Sequence, residues 1–263
     1  MATPELASVD GRISETAQAR IPPADDGLLR GDGVFEVIRL YGGRPFALAD
    51  HLDRLERSGA AIELPVERQV LEGEIEALLA SLGEHDGQLR IVLTRAGRRL
   101  AFTEPLPPSG NTVSLASVTY SPSVILTGVK SISYAANMQA TRIAQSRGAD
   151  EAVLVRPDGV LLEAPTSSVF LASADGQLRT PEIEVGILES ITRARLVSEL
   201  AVEEGTWTID ELRAAGEAFL ASTTREVQPV SEVDGVRMPE APGPRTREAI
   251  DSFATVLRRE LSS

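Results

Sequence analysis

At 263 residues the chain has material for one large domain or two smaller ones, and 42% hydrophobic with 25% charged residues is an ordinary globular composition. The net charge of −13 opposes nucleic-acid or anionic-membrane partners, and the lack of cysteine excludes disulfides, thiolate nucleophiles and zinc–thiolate sites. With His51 and His85 the only histidines, a His-based triad or multi-histidine metal centre has little to draw on, and no metal is expected. The N-terminal stretch Met1–Asp10 has no basic start followed by an apolar run, and no apolar stretch approaches membrane-spanning length. A cytoplasmic location is the expectation.

In chain order, residues 1–30 are turn-rich, with Ile21–Gly27 a loop. Gly31-Asp32-Gly33 leads into a buried strand over Val34–Tyr41, closed by a Gly42-Gly43 turn. Asp50 is a candidate N-cap for a helix carrying His51, Leu52, Arg54, Leu55 and Ile62, and the apolar spacing from Val66 to Leu82 predicts a second helix stopped by Gly83. Leu89–Arg95 reads as a strand followed by a basic turn, and 102–111, with three prolines, as an exposed loop. A strand over Thr112–Tyr120 follows, then Lys130, and a helix over Tyr134–Arg147 with Ser133 as its candidate cap. Ala152–Arg156, Pro157-Asp158-Gly159 and Val160–Glu163 make a hairpin, and Ser167–Ala172 and Gly176–Thr180 are short strands. Gly186–Thr192 opens a helix expected to run to about Glu203, whose first N–H groups form an anion site. A short helix over Ile209–Ala215, a strand over Glu217–Ser222, the hydroxyl-rich turn Ser222-Thr223-Thr224 and a Val233–Val236 hairpin come next. The last helix, Thr246–Leu261, is expected to bury Ala249, Ile250, Phe253, Val256 and Leu257. The division expected is a small N-terminal domain over 1–118, a linker over 119–126 and a larger C-terminal domain over 127–263.

Of the 26 basic residues, Lys130 is the single lysine. Arginine carries charge but cannot serve as a nucleophilic amine, whereas lysine forms Schiff bases once its pKa is tuned. The count alone equally admits a chance survivor of an arginine bias. Glu163 at a strand end, Arg54 on an early helix and two Thr-bearing turns suit a cofactor with an aldehyde, a basic ring nitrogen and a phosphate, although each alone also suits a solvated surface.

The ordered motifs resemble the class IV, fold type IV, pyridoxal-phosphate aminotransferases, which include branched-chain and D-amino acid aminotransferases and aminodeoxychorismate lyases. They are Arg30-Gly-Asp-Gly-Val-Phe-Glu-Val-Ile-Arg39, His51-Leu-Asp-Arg54-Leu, Lys130-Ser-Ile-Ser-Tyr134 with Asn137, Gly148-Ala-Asp-Glu151-Ala, Asp158-Gly-Val-Leu-Leu-Glu163, Ser168-Val-Phe170, Gly186-Ile-Leu-Glu-Ser-Ile-Thr-Arg193, and Ser222-Thr-Thr-Arg-Glu-Val-Gln-Pro-Val230. The resemblance implies an α/β fold of mixed sheets, in which a small N-terminal α/β domain and a larger C-terminal domain hold pyridoxal 5′-phosphate between them. It implies Lys130 as Schiff-base lysine and proton shuttle, Glu163 as partner of the ring nitrogen, and Tyr134 as donor to the ring's phenolic oxygen. Arg54, Ile191, Thr192, Ser222 and Thr223 resemble the phosphate cup, and Leu188 the residue packed on the ring. The same resemblance implies a homodimer with a shared active site.

For substrate, the candidates are Phe35, Arg39, Thr224, and Arg98 or Arg99 as a carboxylate ligand delivered from a partner subunit, the alternative being that these arginines only solvate a loop. D-amino acid aminotransferases resemble this chain but carry tyrosine at the position of Phe35 and an Arg–His pair in the loop; here Thr94–Leu100 has no histidine. Phe35–Arg39 is nearer the branched-chain pattern, with Val37 where glycine is common. The expected activity is ping-pong transfer of an amino group between an amino acid and a 2-oxo acid. The alternatives are aminodeoxychorismate lyase, making 4-aminobenzoate and pyruvate, a D-amino acid or (R)-amine aminotransferase, and a binding protein that kept the scaffold without turnover.

Overall fold

The computed structural model describes residues 5–173 and 175–262, so positions 1–4 of the turn-rich N-terminus lie outside the described residues. It divides into two compact units. One runs to Pro107 and takes in Val129–Tyr134; the other comprises Pro108–Gly128 and the chain from Ala135 onward. The division falls earlier than the 119–126 linker read from the sequence, and it assigns the lysine segment to the first unit. Among the described residues no helix is long and apolar enough to cross a membrane.

The first unit contains β1 (Leu6–Val9), β2 (Arg12–Glu15), α1 (Asp26–Arg30), β3 (Gly33–Tyr41), β4 (Arg44–Pro45), α2 (Leu48–Ala61), α3 (Arg68–Leu82), β5 (Gly87–Thr94) and β6 (Arg99–Glu104). The sheet order is β2-β1-β6-β5-β3-β4. The N-terminal hairpin is absent from the sequence reading, although Asp10-Gly11, both with positive φ, is a favoured two-residue turn. Residues 102–104, expected in a loop, are strand because Phe102 pairs with Ala7 on one side and Arg90 on the other. Asp50 does not cap α2; it lies in the first turn and Ala47, left-handed, stands at the cap. Along β3 the period of two sends Val34, Ile38 and Leu40 to a core shared with Leu52 and Leu55 of α2 and Leu71, Ile75 and Leu78 of α3. Each such side chain contributes about 1.5–3 kcal/mol on burial.

The second unit contains β7 (Val113–Thr119), α4 (Ala135–Ser146), β8 (Glu151–Val155), β9 (Ser168–Ala172), β10 (Leu178–Pro181), α5 (Ile191–Glu199), β11 (Val202–Gly205), α6 (Ile209–Arg213), β12 (Glu217–Ser222), β13 (Glu226–Val233), β14 (Val236–Arg237) and α7 (Pro244–Leu261). Its mixed sheet runs β11-β10-β9-β12-β13-β7-β8, with β14 on β13. The fifth helix ends at Glu199 and not near Glu203, because Val202–Gly205 pairs in parallel with β10: tertiary pairing overrides a helix-compatible Ala-Val-Glu-Glu. One apolar cluster joins Leu115, Leu171, Leu212 and Leu220; another joins Ala140 and Ala144 of α4 to Ala116 and Leu154. In α7, Ala249, Phe253 and Val256 are buried as expected, but Ile250 is exposed and Leu257 half-buried. Three and four residue spacing is met by both, yet the buried face is narrower than the apolar stripe.

Candidate active site

In the first unit the site is built on the open half of β3. Its partner β4 covers only Leu40 and Tyr41, so the N-terminal half presents unpaired backbone groups. Residues 130–132 satisfy them: Phe35 N–H donates to the Lys130 carbonyl at 3.0 Å, and Ile132 N–H to the Gly33 carbonyl at 3.1 Å. The close approach explains the Gly31-Asp32-Gly33 motif. A Cβ on Gly33 would lie 2.2 Å from the Leu93 carbonyl and 2.9 Å from Ile132 Cδ1, while Gly31 has φ +67°. Lys130 N–H donates to Ser58 Oγ of α2 at 3.1 Å, so the lysine backbone is held on two sides. Its Nζ lies 4.5 Å from the centre of the Phe35 ring, which Tyr134 meets edge-on at 5.3 Å. Ser133, the expected helix cap, donates its hydroxyl to the Gly31 carbonyl at 2.9 Å.

Beneath this segment, on the core face of β3, Glu36 is fully buried. Arg54 donates to it from Nε at 2.7 Å and from Nη2 at 2.6 Å, and His51 Nδ1 lies 2.8 Å from Oε2. Burial alone would raise the Glu36 carboxyl; the Arg54 charge and hydrogen bonds, followed by those of His51, more than offset it and hold the pKa down to about 2. Burial likewise depresses His51, against the pull of Glu36 and with the Arg54 and Lys130 charges adding to it. A neutral His51 donating from Nδ1 leaves Nε2 as an acceptor, and that atom is buried with no partner among the described residues. Glu36 and His51 were present in the sequence motifs without a role. Their partnership is a product of β3 and α2 packing, and no spacing rule would have found it.

In the second unit, Glu163 ends the return arm of the hairpin after β8 and accepts from the Leu188 N–H at 3.2 Å through Oε1. Burial, then the charge of Glu163, pushes the Tyr120 phenol up. Ser190 N-caps α5, taking the Arg193 N–H at 3.3 Å. By helix geometry the N–H groups of Ile191 and Thr192 have no intrahelical acceptor, and the Thr192 hydroxyl is buried without a partner among the described residues. An anion accepting from these donors would satisfy them. Ser222, Thr223 and Thr224 stand at the β12–β13 turn.

The substrate candidates are placed unevenly. Phe35 lies against Lys130 and Tyr134, as above. The Arg39 guanidinium covers the Tyr41 ring at 4.9 Å. Arg98 pairs with Asp10 at 2.6 Å, and Arg99 makes two hydrogen bonds to Glu74, at 2.9 and 3.0 Å, and a longer one to Glu67. Arg90 of β5 was not singled out by the sequence; its guanidinium lies 5.9 Å from the Phe35 ring centre and donates to Glu104 at 2.8 Å.

Comparison with known proteins places this geometry. The family model for class IV amino-transferases matches residues 33–233. The chain belongs to the class IV aminotransferases. A D-alanine aminotransferase of Bacillus licheniformis is 32% identical over 262 residues, covering 90% of this chain and 92% of that protein. An aminodeoxychorismate lyase of Bacillus subtilis is 28% identical over 286 residues, covering 97% and 94%. The crystal structure of a branched-chain aminotransferase from Thermoproteus uzoniensis with norvaline superposes with a TM-score of 0.87 at 28% identity, covering 96% of this chain and 94% of that one.

Class IV aminotransferases use pyridoxal 5′-phosphate. Each unit carries groups that suit such a cofactor: the first an amine at Lys130, the second a carboxylate at Glu163 and, at the start of α5, the Thr192 hydroxyl that has no partner among the described residues. The α/β fold of mixed sheets expected from the sequence is the one found, built on two sheets.

Proposed function

We propose that this class IV aminotransferase moves an amino group between an amino acid and a 2-oxo acid by a ping-pong mechanism, with Lys130 as the covalent anchor and proton carrier. The observation that carries the reading is the pinning of the only lysine: hydrogen bonds from Phe35 and to Ser58 hold its backbone, and its amine rests on the Phe35 ring. The chemistry supplied by bound pyridoxal 5′-phosphate is an electron-accepting ring that stabilises the charge left when the substrate α-proton departs. Lys130 would hold the substrate α-proton in transit, a task for which its amine on a flexible four-carbon stem is suited. Glu163, oriented by the Leu188 N–H, keeps the ring nitrogen protonated, and Tyr134 donates to the phenolic oxygen. Thr192, the N–H groups of Ile191 and Thr192, Ser222, Thr223 and Arg54 hold the phosphate, and Leu188 packs on the ring.

The reading extends to a cytoplasmic homodimer in which Arg98 reaches the substrate carboxylate of the neighbouring copy, with Phe35, Arg39 and Thr224 lining the pocket. Arg98 suits this better than Arg99, because its side chain is 37% exposed against 23% and it is paired with one carboxylate and not two. The same reading accommodates D-amino acids as substrates, as the likeness to the Bacillus licheniformis enzyme suggests, or branched-chain ones.

The test is to add L- and D-amino acids in turn to the yellow holoenzyme and follow loss of its visible band, with the 2-oxo acid product measured. If no amino acid bleaches the band, the transfer reading fails. If aminodeoxychorismate yields 4-aminobenzoate, the lyase reading, supported by the Bacillus subtilis relative, takes its place.

A further inference from the structure

Arg225 follows directly on the turn Ser222–Thr224, yet neither motif nor activity gives its side chain a task. Its partners all lie in the same unit. Nη1 donates to Gln228 Oε1 at 2.7 Å, and Nη2 donates to the Glu151 carboxylate and, at 3.5 Å, to Thr166 Oγ1. Thr166 Oγ1 also donates to Glu151 Oε1 at 3.3 Å, so guanidinium, carboxylate and hydroxyl close a ring. Glu151 is the first residue of β8 and only 6% exposed, and a carboxylate so buried requires a cation or a proton. Burial pushes its carboxyl up, against the Arg225 charge and hydrogen bonds.

The backbone of Arg225 is engaged as well. Its N–H donates to Ser222 Oγ at 3.4 Å, which leaves the Ser222 hydroxyl proton to be given elsewhere. The next residue, Glu226, has φ +60°, a conformation a non-glycine side chain resists and surrounding contacts must enforce. A fork held at several points does that, since a guanidinium bound on two edges fixes orientation as well as distance.

We infer that the Arg225–Glu151 pair is a strut that holds the turn Ser222–Thr224 against the start of β8 and so sets where the Ser222 and Thr223 hydroxyls meet the cofactor phosphate. Arg225 is thus a positioning residue. The inference rests on the reading of Ser222 and Thr223 as phosphate donors, and the experiment separates the two.

Apo-protein is titrated with pyridoxal 5′-phosphate and, separately, with pyridoxal, which lacks the phosphate. Arg225→Gln is expected to weaken pyridoxal 5′-phosphate about tenfold, the loss of a charge-assisted hydrogen bond, while pyridoxal changes by less than about twofold. Arg225→Lys, which keeps charge but not the fork, should fall between. Equal weakening of both ligands would mean a merely structural residue and overturn the strut. Ser222→Ala and Thr223→Val serve as controls: if they weaken the phosphate cofactor and Arg225→Gln does not, the strut fails alone. If they leave affinity unchanged, the phosphate reading fails and the strut falls with it. Should Arg225→Gln not fold, Glu151→Gln, which removes the opposing charge at nearly constant shape, must show the same selective loss.

Discussion

Replacing Glu36 by glutamine removes the one charge that both Arg54 and His51 hold, while keeping the side chain's length. In the folded protein this carboxyl sits at about 2 against an ordinary value of 4.5, the Arg54 and His51 interactions exceeding the cost of burial. At 1.36 kcal/mol per unit the difference is worth about 3 kcal/mol, which agrees with the roughly 3–5 kcal/mol lost when one partner of a buried ion pair is removed. The sign follows from proton binding. Below 4.5 the unfolded chain takes up a proton the native state refuses, so the contribution is complete at pH 7 and is lost as pH falls from about 4.5 towards 2. Glu36→Gln should therefore cost about 3 kcal/mol at pH 7, and the deficit should narrow by about 1 kcal/mol at pH 4. Urea unfolding of both proteins at equal concentration, followed by far-ultraviolet circular dichroism, measures it. Trp207, the only tryptophan, belongs to the second unit, so its fluorescence is an internal control that should move less. A deficit below about 1 kcal/mol at pH 7, or one that acidification leaves unchanged, would refute the assignment of Glu36 as the charge balancing Arg54.

Lys130→Ala is expected to abolish both turnover and the visible band of the lysine-bound cofactor, and borohydride trapping of wild type should label Lys130 or the amino terminus alone; a labelled peptide from elsewhere would sink the anchor. If Glu163 partners the ring nitrogen as proposed, Glu163→Gln should lower turnover about a hundredfold while pyridoxal 5′-phosphate still binds, since the change would remove that charge and no phosphate contact; steady-state kinetics beside a cofactor titration decides. Gly33→Ala drives a Cβ to 2.2 Å from the Leu93 carbonyl, and because that neighbour is backbone the strand pairing must shift. A loss of about 3 kcal/mol or more is expected in thermal or urea unfolding, together with weakened cofactor binding; wild-type stability would refute the close-approach account.

What could be read from the chain alone was whatever is written locally. Amphipathic spacing marked α2 and α3, Pro157-Asp158-Gly159 marked the hairpin leading to Glu163, and composition singled out Lys130. The family motifs then supplied a cofactor and an order of parts. Contacts between residues distant in sequence were not legible. Glu36 meets Arg54 and His51 only once α2 lies on β3, and Arg225 meets Glu151 only once β13 and β8 share a sheet. The strand over Val202–Gly205 and the pairing of Lys130 with Phe35 likewise exist because an unpaired sheet edge must find backbone partners, wherever in the chain these lie. The chemistry a residue type can perform belongs to the sequence; the charge state and orientation in which it performs it depend on burial and on neighbours that only the tertiary structure brings together.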